Sequence, residues 1–250
     1  MSFEFTKDAI DNYLKELAKE YRKQVGKGMP AELILIGGAS VLINYGFRNM
    51  TTDIDALIRG ASAMKDAILR VGDRFDLPVG WLNEDFTHTE SYSPRLAEFS
   101  TYYRTYANVL TIRTISAEYL VAMKLRSGRQ YKSDLSDVLG ILSEHQRQGT
   151  PLSMARIQKA AADLYGDFDA LPEPSRRYIA NVMENGDFEA LYDEVVRGEQ
   201  ETKELLLDFE KNYSQAVKPE NVDAVTETLQ QKTDRASVIA ALRERQANKR

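Results

Sequence analysis

The segment Glu32–Ile58 constrains the fold more than any other part of the chain, because it reads as strand, glycine turn, short helix, loop and second strand. Leu33–Ile36 is a short apolar run typical of a buried strand, and Gly37-Gly38 then marks a tight turn. Ala39–Tyr45 suits a helix that starts beside the glycines. The pattern therefore predicts a glycine turn at a helix N-terminus, where backbone N–H groups can bind an anion.

Two aspartates follow this helix, at the start of the second apolar segment, Asp53–Ile58. Because side chains alternate between the two faces of a strand, we expect Asp53 and Asp55 to project to one side and Ile54 to the other. Such a carboxylate pair is tolerable in water or around a cation, and its hard oxygens suit Mg²⁺, which also binds substrate phosphates. Beside a glycine turn, the pair predicts a site for a nucleoside triphosphate with Mg²⁺ or Mn²⁺. The alternative is an ordinary turn followed by a solvated strand edge.

The order of these motifs resembles the nucleotidyltransferases of the DNA polymerase β-like superfamily. The superfamily signature is a Gly-Gly or Gly-Ser turn followed by Asp-x-Asp or Asp-x-Glu on the next strand, and Gly37-Gly38 and Asp53-x-Asp55 match it, with a slightly longer spacing. The segments GGAS, GFRNMTTDIDAL and MKLRSGRQYKSDLSDVLGIL look most like stand-alone bacterial nucleotidyltransferases, which include toxins of abortive-infection toxin–antitoxin systems. The resemblance covers residues 33–142.

This resemblance implies an α/β fold with a mixed β-sheet. It also implies transfer of a nucleoside monophosphate from a nucleoside triphosphate to an acceptor hydroxyl, on an RNA end or on a protein. Gly37, Gly38 and Ser40 would bind the nucleotide phosphates, and Asp53 and Asp55 would bind the metal. A toxin role would bring a cognate antitoxin or another protein as partner. The alternative is a non-catalytic nucleotide-binding or partner-binding protein on the same fold.

A third carboxylate is expected on a later strand, because the superfamily usually takes one from there. Leu96–Tyr106 and Val109–Thr114 are rich in β-branched and aromatic residues, and Ala107-Asn108 between them suits a hairpin turn. Glu98 is the only acid within these two predicted strands, which makes it the candidate third metal ligand. It could equally be an exposed strand residue, in which case the general base for the acceptor hydroxyl must be found elsewhere.

Basic and acidic side chains cluster farther along the chain, in two consecutive predicted helices. Toxin-type relatives carry a lysine and an arginine followed by an Asp-x-x-Asp helix that closes over the nucleotide, and Lys124, Arg129, Asp134 and Asp137 stand at the matching places. The resemblance implies that Lys124 and Asp134 are catalytic and that Arg129 contacts the triphosphate. The alternative, which the residues themselves leave open, is a salt-bridge network between the two helices.

Composition narrows the remaining possibilities. The chain has no cysteine, which excludes disulfides and thiolate metal sites, and its two histidines argue against a histidine-rich zinc site. A formal net charge of −5 at pH 7 does not favour broad, non-specific nucleic-acid binding. No apolar run approaches the ~20 residues of a membrane span, and the first residues lack a signal-peptide pattern. We therefore expect a cytoplasmic protein with no membrane partner.

Gly149-Thr150-Pro151 marks the expected boundary between a nucleotidyltransferase domain, residues 1–149, and a helical C-terminal region, residues 150–250. Packing onto the catalytic domain is the default expectation for the helical region, and holding an acceptor or a protein partner is the alternative. The predicted helices there are Leu152–Tyr165, Pro174–Met183, Phe188–Tyr213, Asn221–Gln231 and Ala236–Gln246.

Overall fold

The computed structural model describes residues 3–129, 133–213, 216–218 and 221–231. Within these ranges five strands form one sheet, in which β1 is central and β4 lies at one edge. The strands, in the order in which they pair, are β3 (Leu82–Asn83), β2 (Ile54–Arg59), β1 (Ala31–Leu35), β5 (Leu110–Ile115) and β4 (Ser100–Tyr106).

The sheet is mixed. β1 runs antiparallel to β2 and parallel to β5, while β4 and β5 form an antiparallel pair. A tight turn at Ala107 and Asn108 joins β4 to β5, with φ angles of 51° and 54°. Two successive residues with left-handed backbone are typical of hairpin turns that match the strand twist. The predicted mixed α/β fold and the predicted hairpin are therefore confirmed.

Helices cover both faces of the sheet. The α-helices of the described residues are α1 (Lys7–Val25), α2 (Gly37–Asn44), α3 (Ala63–Phe75), α4 (Ala117–Ser127), α5 (Asp134–Arg147), α6 (Met154–Tyr165), α7 (Glu173–Asn185), α8 (Phe188–Asn212) and α9 (Val222–Gln231). On one face, α1 and α3 bury Leu33 of β1 and Ile54 of β2 in a shared apolar cluster. On the other face, α4 and α5 bury Ile34 of β1 and Ile115 of β5. Successive side chains of β1 therefore pack into two separate apolar layers, one on each face of the sheet.

One hydrophobic core draws side chains from both sides of the predicted boundary at residue 149. Ile34 and Leu139 belong to the same buried cluster as Ile157 of α6 and Ile179 of α7. Helices α6 and α7 therefore pack directly on the helical layer that covers the sheet, and burial of these apolar side chains opposes their separation. A smaller cluster, which includes Phe209, joins α8 to α9. The division of the chain into two units stays a prediction.

Some element boundaries differ from the sequence prediction. α2 begins at Gly37, two residues before the predicted start at Ala39, so the glycines form its first turn. The predicted strand start at Leu96 is wrong, because Pro94–Phe99 forms a 3-10 turn and β4 begins only after it. Proline fixes φ near the helical value and suits the first position of such a turn. The predicted helix Ala236–Gln246 lies outside the described residues.

Among the helices that the structure describes, none combines the length and the apolar character needed to cross a membrane.

Candidate functional site

The end of β1 and the first turn of α2 form a tight glycine turn. Gly37 adopts a φ of 55°, a conformation that strains other residues. Gly38 is required for a different reason, since a Cβ at this position would lie 2.6 Å from Thr51 Oγ1 and 3.0 Å from Arg48 Nη2. The turn therefore brings the backbone of α2 unusually close to two polar side chains from the loop between α2 and β2.

The N-terminus of α2 faces charged groups instead of a conventional cap. The N-cap residue, Ile36, makes no capping hydrogen bond, because its side chain has no acceptor. The first backbone N–H groups of an α-helix have no partner within the helix, and the helix dipole favours an anion beside them. Asp55 Oδ2 lies 3.7 Å from the position that a Cβ on Gly37 would occupy. The glycine turn thus has both a carboxylate and a guanidinium group at its surface.

Asp53 and Asp55 flank Ile54 at the start of β2. Ile54 is fully buried in the layer under α1 and α3, whereas Asp53 is exposed and Asp55 is half-buried. Asp55 therefore lies on the strand face opposite Ile54, and Asp53 immediately precedes the strand, so a shared face for the two carboxylates stays a prediction. Thr51 Oγ1 lies 3.5 Å from Asp53 Oδ1, so Thr51 stands between Asp53 and Gly38.

Arg48, which the sequence pattern alone does not single out, connects the glycine turn to a second group of charges. Its Nε donates to Met50 O at 2.9 Å, its Nη1 pairs with Asp137, and its Nη2 lies beside Gly38. The side chain is 19% exposed. Two guanidinium nitrogens are thus held by acceptors, and the third lies beside the glycine turn. The one signal in the sequence is the position of Arg48 in a polar loop just before the aspartate pair.

Lys124, near the end of α4, lies in a buried ion-pair cluster with the first turn of α5. Its Nζ is 2.8 Å from both Asp134 Oδ1 and Asp137 Oδ2. Arg129 Nε donates to Asp134 Oδ2 at 2.8 Å, and Arg48 joins the cluster through Asp137. The three central side chains, of Lys124, Asp134 and Asp137, are 8%, 1% and 3% exposed. The salt-bridge network that the sequence left open is therefore present, and contact of Lys124 or Arg129 with a triphosphate stays a prediction.

The charged groups in this ion-pair cluster stabilise one another. Burial disfavours the charged form of Lys124, but attraction to Asp134 and Asp137 outweighs burial and raises the lysine pKa. Burial likewise acts to raise the pKa of Asp134, but Lys124 and Arg129 hold it well below its usual range. Lys124 and Asp134 are therefore both charged at neutral pH. Three cations, including Arg48, thus pair with two buried aspartates in this cluster.

Ser40, which the resemblance assigned to nucleotide binding, faces the interior. Its side chain is fully buried, and its Oγ accepts a hydrogen bond from the backbone N–H of Ile115 at 3.1 Å. The hydroxyl therefore ties α2 to the end of β5. The structure does not bring Ser40 to the phosphate side of the turn, because α2 starts at Gly37 and its fourth residue points toward the sheet.

Glu98 is also remote from the aspartate pair. It lies in the 3-10 turn before β4, its side chain is 58% exposed, and its Oε2 is 3.4 Å from Arg95 Nη2. β1 and β5 separate β4 from β2, which corresponds to roughly 14 Å at ~4.8 Å per strand. The prediction that Glu98 lies on a strand is wrong, and the structure does not bring it together with Asp53 and Asp55 as a third carboxylate.

The described ranges contain no group of three or more histidine, cysteine, aspartate or glutamate side chains arranged to hold a metal ion. The aspartate pair suits a different kind of site, in which Mg²⁺ takes one or two carboxylates and completes its shell with water and phosphate oxygens. Asp53 and Asp55 supply hard oxygen ligands beside an anion-binding turn. The chemistry of these donors therefore fits a divalent cation held jointly with a nucleotide.

A family model described as "Nucleotidyltransferase of unknown function (DUF6036)" matches residues 12–145, more than half of the chain. The matched segment contains the glycine turn, the aspartate pair, Arg48, Lys124 and the first turn of α5. Comparison with curated proteins and with solved structures finds no match.

Proposed function

Because the chain belongs to this family of nucleotidyltransferases of unknown function, we propose that it transfers a nucleoside monophosphate from a nucleoside triphosphate to an acceptor hydroxyl. The acceptor oxygen attacks the α-phosphorus, the bond from that phosphorus to the β-phosphate oxygen breaks, and pyrophosphate leaves. Positioning of the reactants and stabilisation of negative charge are the main demands of such a reaction. The site must therefore hold a triphosphate, a divalent cation and the acceptor in one place.

The convergence of the glycine turn, the aspartate pair and Arg48 is the observation that carries this proposal. Gly38 lets the backbone of α2 approach Arg48 and Thr51, and Asp55 reaches the same turn from β2. A phosphate at the N-terminus of α2 would meet backbone N–H donors and the helix dipole. The guanidinium of Arg48 beside the turn offers the planar donor geometry that suits phosphate oxygens.

Asp53 and Asp55 would hold Mg²⁺ or Mn²⁺ in this proposal. When bound, the cation offsets phosphate charge and stabilises the attacking and leaving oxygens. Asp55 lies against the glycine turn, and Asp53 is the more exposed of the two. The pair would thus present one carboxylate toward the triphosphate and one toward the solvent side from which an acceptor arrives.

Lys124 and Arg129 would neutralise charge that develops on the triphosphate. Two of the three N–H donors of Lys124 are directed at Asp134 and Asp137, which leaves one for a phosphate oxygen. The side chain of Arg129 is 31% exposed and so remains more accessible than Lys124. Asp134 is fully buried between these two cations, and we assign it a positioning role instead of direct contact with the substrate.

For the acceptor and the biological role, we propose an RNA end or a protein hydroxyl, and a toxin whose partner is a cognate antitoxin. The support is the likeness of the GGAS, GFRNMTTDIDAL and MKLRSGRQYKSDLSDVLGIL segments to stand-alone bacterial nucleotidyltransferases of that type. The open position of Asp53 also suits a large acceptor, since a macromolecule must reach the site from solvent.

The test is incubation of the purified chain with each α-labelled nucleoside triphosphate, Mg²⁺ or Mn²⁺, total cellular RNA and total protein. Asp53→Asn serves as the inactive variant. Asp73→Asn is the matched control, because Asp73 is an exposed aspartate on α3, on the other face of the sheet. We expect label in RNA or in a protein band with the wild type and with Asp73→Asn. Retention of that label with Asp53→Asn would contradict the proposal.

A second candidate function is metal-dependent nucleotide binding without transfer. It is favoured by the absence, within the described residues, of a third carboxylate beside Asp53 and Asp55. In the experiment above, this function would appear as saturable binding of nucleotide with no covalent label under any acceptor condition.

A further inference from the structure

We propose that Glu199, in the middle of α8, is a positioning residue that aligns the ion-pair cluster with the glycine turn. This inference rests on the proposed nucleotidyl transfer and adds the helical C-terminal region to the catalytic unit. Its basis is a contact between α8 and the first turn of α5, the turn that carries Asp134 and Asp137.

The first turn of α5 is capped from another helix. Ser133 occupies the N-cap position but makes no side-chain capping hydrogen bond. Instead, Glu199 Oε1 accepts from the backbone N–H of Leu135 at 3.1 Å and of Ser136 at 3.2 Å. These are the second and third residues of α5, whose N–H groups an N-cap side chain normally satisfies. A residue 63 positions away in the sequence therefore fixes where α5 begins.

The same turn determines where Lys124 lies. Asp134 and Asp137 hold the Lys124 Nζ at 2.8 Å each, and Asp137 also pairs with Arg48 beside Gly38. A shift of the first turn of α5 would move both carboxylates and, through them, the two cations nearest the proposed triphosphate. Small misalignments of this kind lower reaction rates strongly while leaving the fold intact.

A second contact from the C-terminal region supports the same turn. Tyr178 of α7 donates its hydroxyl to the backbone oxygen of Leu135 at 3.0 Å. Leu135 thus has its N–H bound by α8 and its carbonyl bound by α7. Two helices beyond residue 149 therefore hold one residue of α5, which lies between the two aspartates of the ion-pair cluster.

The contact with Glu199 does not depend on one protonation state. Burial, and then repulsion by Asp137, raise the pKa of Glu199 to about 7, against the lowering effect of its hydrogen bonds to Ser136 and Leu135. Tyr178 of α7 and Tyr192 of α8 also face this carboxyl group. Because the carbonyl oxygen of a neutral acid or of an amide still accepts N–H hydrogen bonds, Glu199→Gln should keep the cap and Glu199→Ala should remove it.

The test compares Glu199→Ala and Glu199→Gln with the wild type in the full-length chain, with Glu194→Ala as the control. Glu194 is an exposed glutamate on the same helix. One measurement is amide hydrogen exchange of residues 133–140, with α1 as internal reference. The other is transfer of α-labelled nucleotide, analysed as kcat and KM per folded molecule. We expect Glu199→Ala to accelerate exchange at residues 133–140 alone and to lower kcat by about 10-fold or more with a nearly unchanged KM.

Glu199→Gln should restore protection and most of kcat, and Glu194→Ala should behave as the wild type. Equal exchange and equal kcat in Glu199→Ala and the wild type would overturn the proposal, as would a loss of activity explained entirely by the unfolded fraction. A wild-type chain that binds nucleotide but transfers none would overturn the proposed function. In that case, exchange at residues 133–140 still decides whether Glu199 holds the turn.

Discussion

The two charged regions of the candidate site are built in opposite ways. The glycine turn and the aspartate pair are open, with Asp53 exposed to solvent and Asp55 half-buried. The ion-pair cluster of Lys124, Asp134 and Asp137 is closed, and each of these side chains is at most 8% exposed. Arg48 reaches both regions, because its Nη2 lies beside Gly38 and its Nη1 pairs with Asp137.

Solvent-exposed charge remains able to bind a ligand, whereas buried charge holds the protein together. Neighbouring carboxylates that contact water remain able to bind a cation, because solvent screens the repulsion between them. Carboxylates taken out of water require protein cations as partners, and those cations are then largely committed. The open region should therefore carry the metal-dependent chemistry, and the closed region should carry stability and alignment in addition to the donors that Lys124 and Arg129 would offer the triphosphate.

The largest expected contrast is between Asp53→Asn and Asp134→Asn. The first should lower transfer by about 10³-fold, because it removes a ligand of the charge-stabilising cation, and should leave thermal stability nearly unchanged. The second leaves Lys124 and Arg129 without their shared buried partner, and should reduce the free energy of unfolding by about 3–5 kcal/mol. Urea unfolding and the transfer assay on both variants measure the contrast. Equal destabilisation by the two changes would contradict the distinction between the open and the closed region.

The next effect concerns the close approach at the glycine turn. Gly38→Ala should weaken binding of the metal–nucleotide complex by about 10-fold, because the new methyl group would lie 2.6 Å from Thr51 Oγ1 and 3.0 Å from Arg48 Nη2 and would displace one of these side chains. Gly46→Ala is the matched control, since a Cβ there meets nothing within 4 Å. Titration of nucleotide into each variant by calorimetry gives the affinities. A normal affinity in Gly38→Ala would remove Arg48 and the turn from the proposed phosphate site.

The pH dependence of stability tests the environment of Glu199, which caps the first turn of α5 beside the closed region. Glu199 has its pKa raised from 4.5 to about 7 in the folded chain, chiefly by burial. The folded state then binds this proton more tightly than the unfolded state, so the contribution of Glu199 is present at acid pH and is lost as the pH rises toward 7. Relative to Glu199→Gln, the wild type should lose about 2 kcal/mol of unfolding free energy between pH 5 and pH 8.

Urea unfolding of the wild type and of Glu199→Gln at both pH values measures this difference. Parallel pH dependence in the two proteins would show that Glu199 ionises as an ordinary exposed carboxyl group.

The smallest expected effect is at the remote acid. Glu98→Gln should change transfer by less than about twofold and stability by less than about 0.5 kcal/mol, because exposed pairs such as the one with Arg95 contribute little. The same transfer and unfolding assays measure it. A loss of activity comparable to that in Asp53→Asn would restore Glu98 as the third carboxylate and would add it to the open region.

Local features of the sequence predicted the glycine turn at the start of α2 and the position of Asp55 on β2. The glycine pair, the aspartates and the alternation of β2 are properties of neighbouring residues, so they could be inferred without knowing how the chain folds back. The hairpin at Ala107 and Asn108 was likewise predictable from the residues, whereas the mixed sheet was implied by the family resemblance. By contrast, Glu98 was placed on a strand because its neighbours favour β-structure, and the proline at residue 94 instead starts a 3-10 turn.

Contacts between distant segments explain what the sequence did not predict. The role of Arg48 depends on its contact with Asp137, 89 positions away, and the role of Glu199 depends on its contact with the first turn of α5. Ser40 has the residue type of a phosphate ligand, yet the start of α2 at Gly37 turns it toward Ile115. Side-chain direction and tertiary pairing decide these roles, and neither is encoded in a local motif.

The central claim is that the open region transfers a nucleoside monophosphate, and the most direct measurement is a comparison of two labels in one nucleotide. The wild-type chain is given the same nucleoside triphosphate labelled on either the α- or the γ-phosphorus, with Mg²⁺ and the acceptor that the labelling of total RNA and protein identifies. We expect the α-label to become covalently attached to the acceptor and the γ-label to leave as pyrophosphate, and we expect Asp53→Asn to abolish both. Covalent transfer of the γ-label, or metal-dependent binding with transfer of neither label, would contradict it.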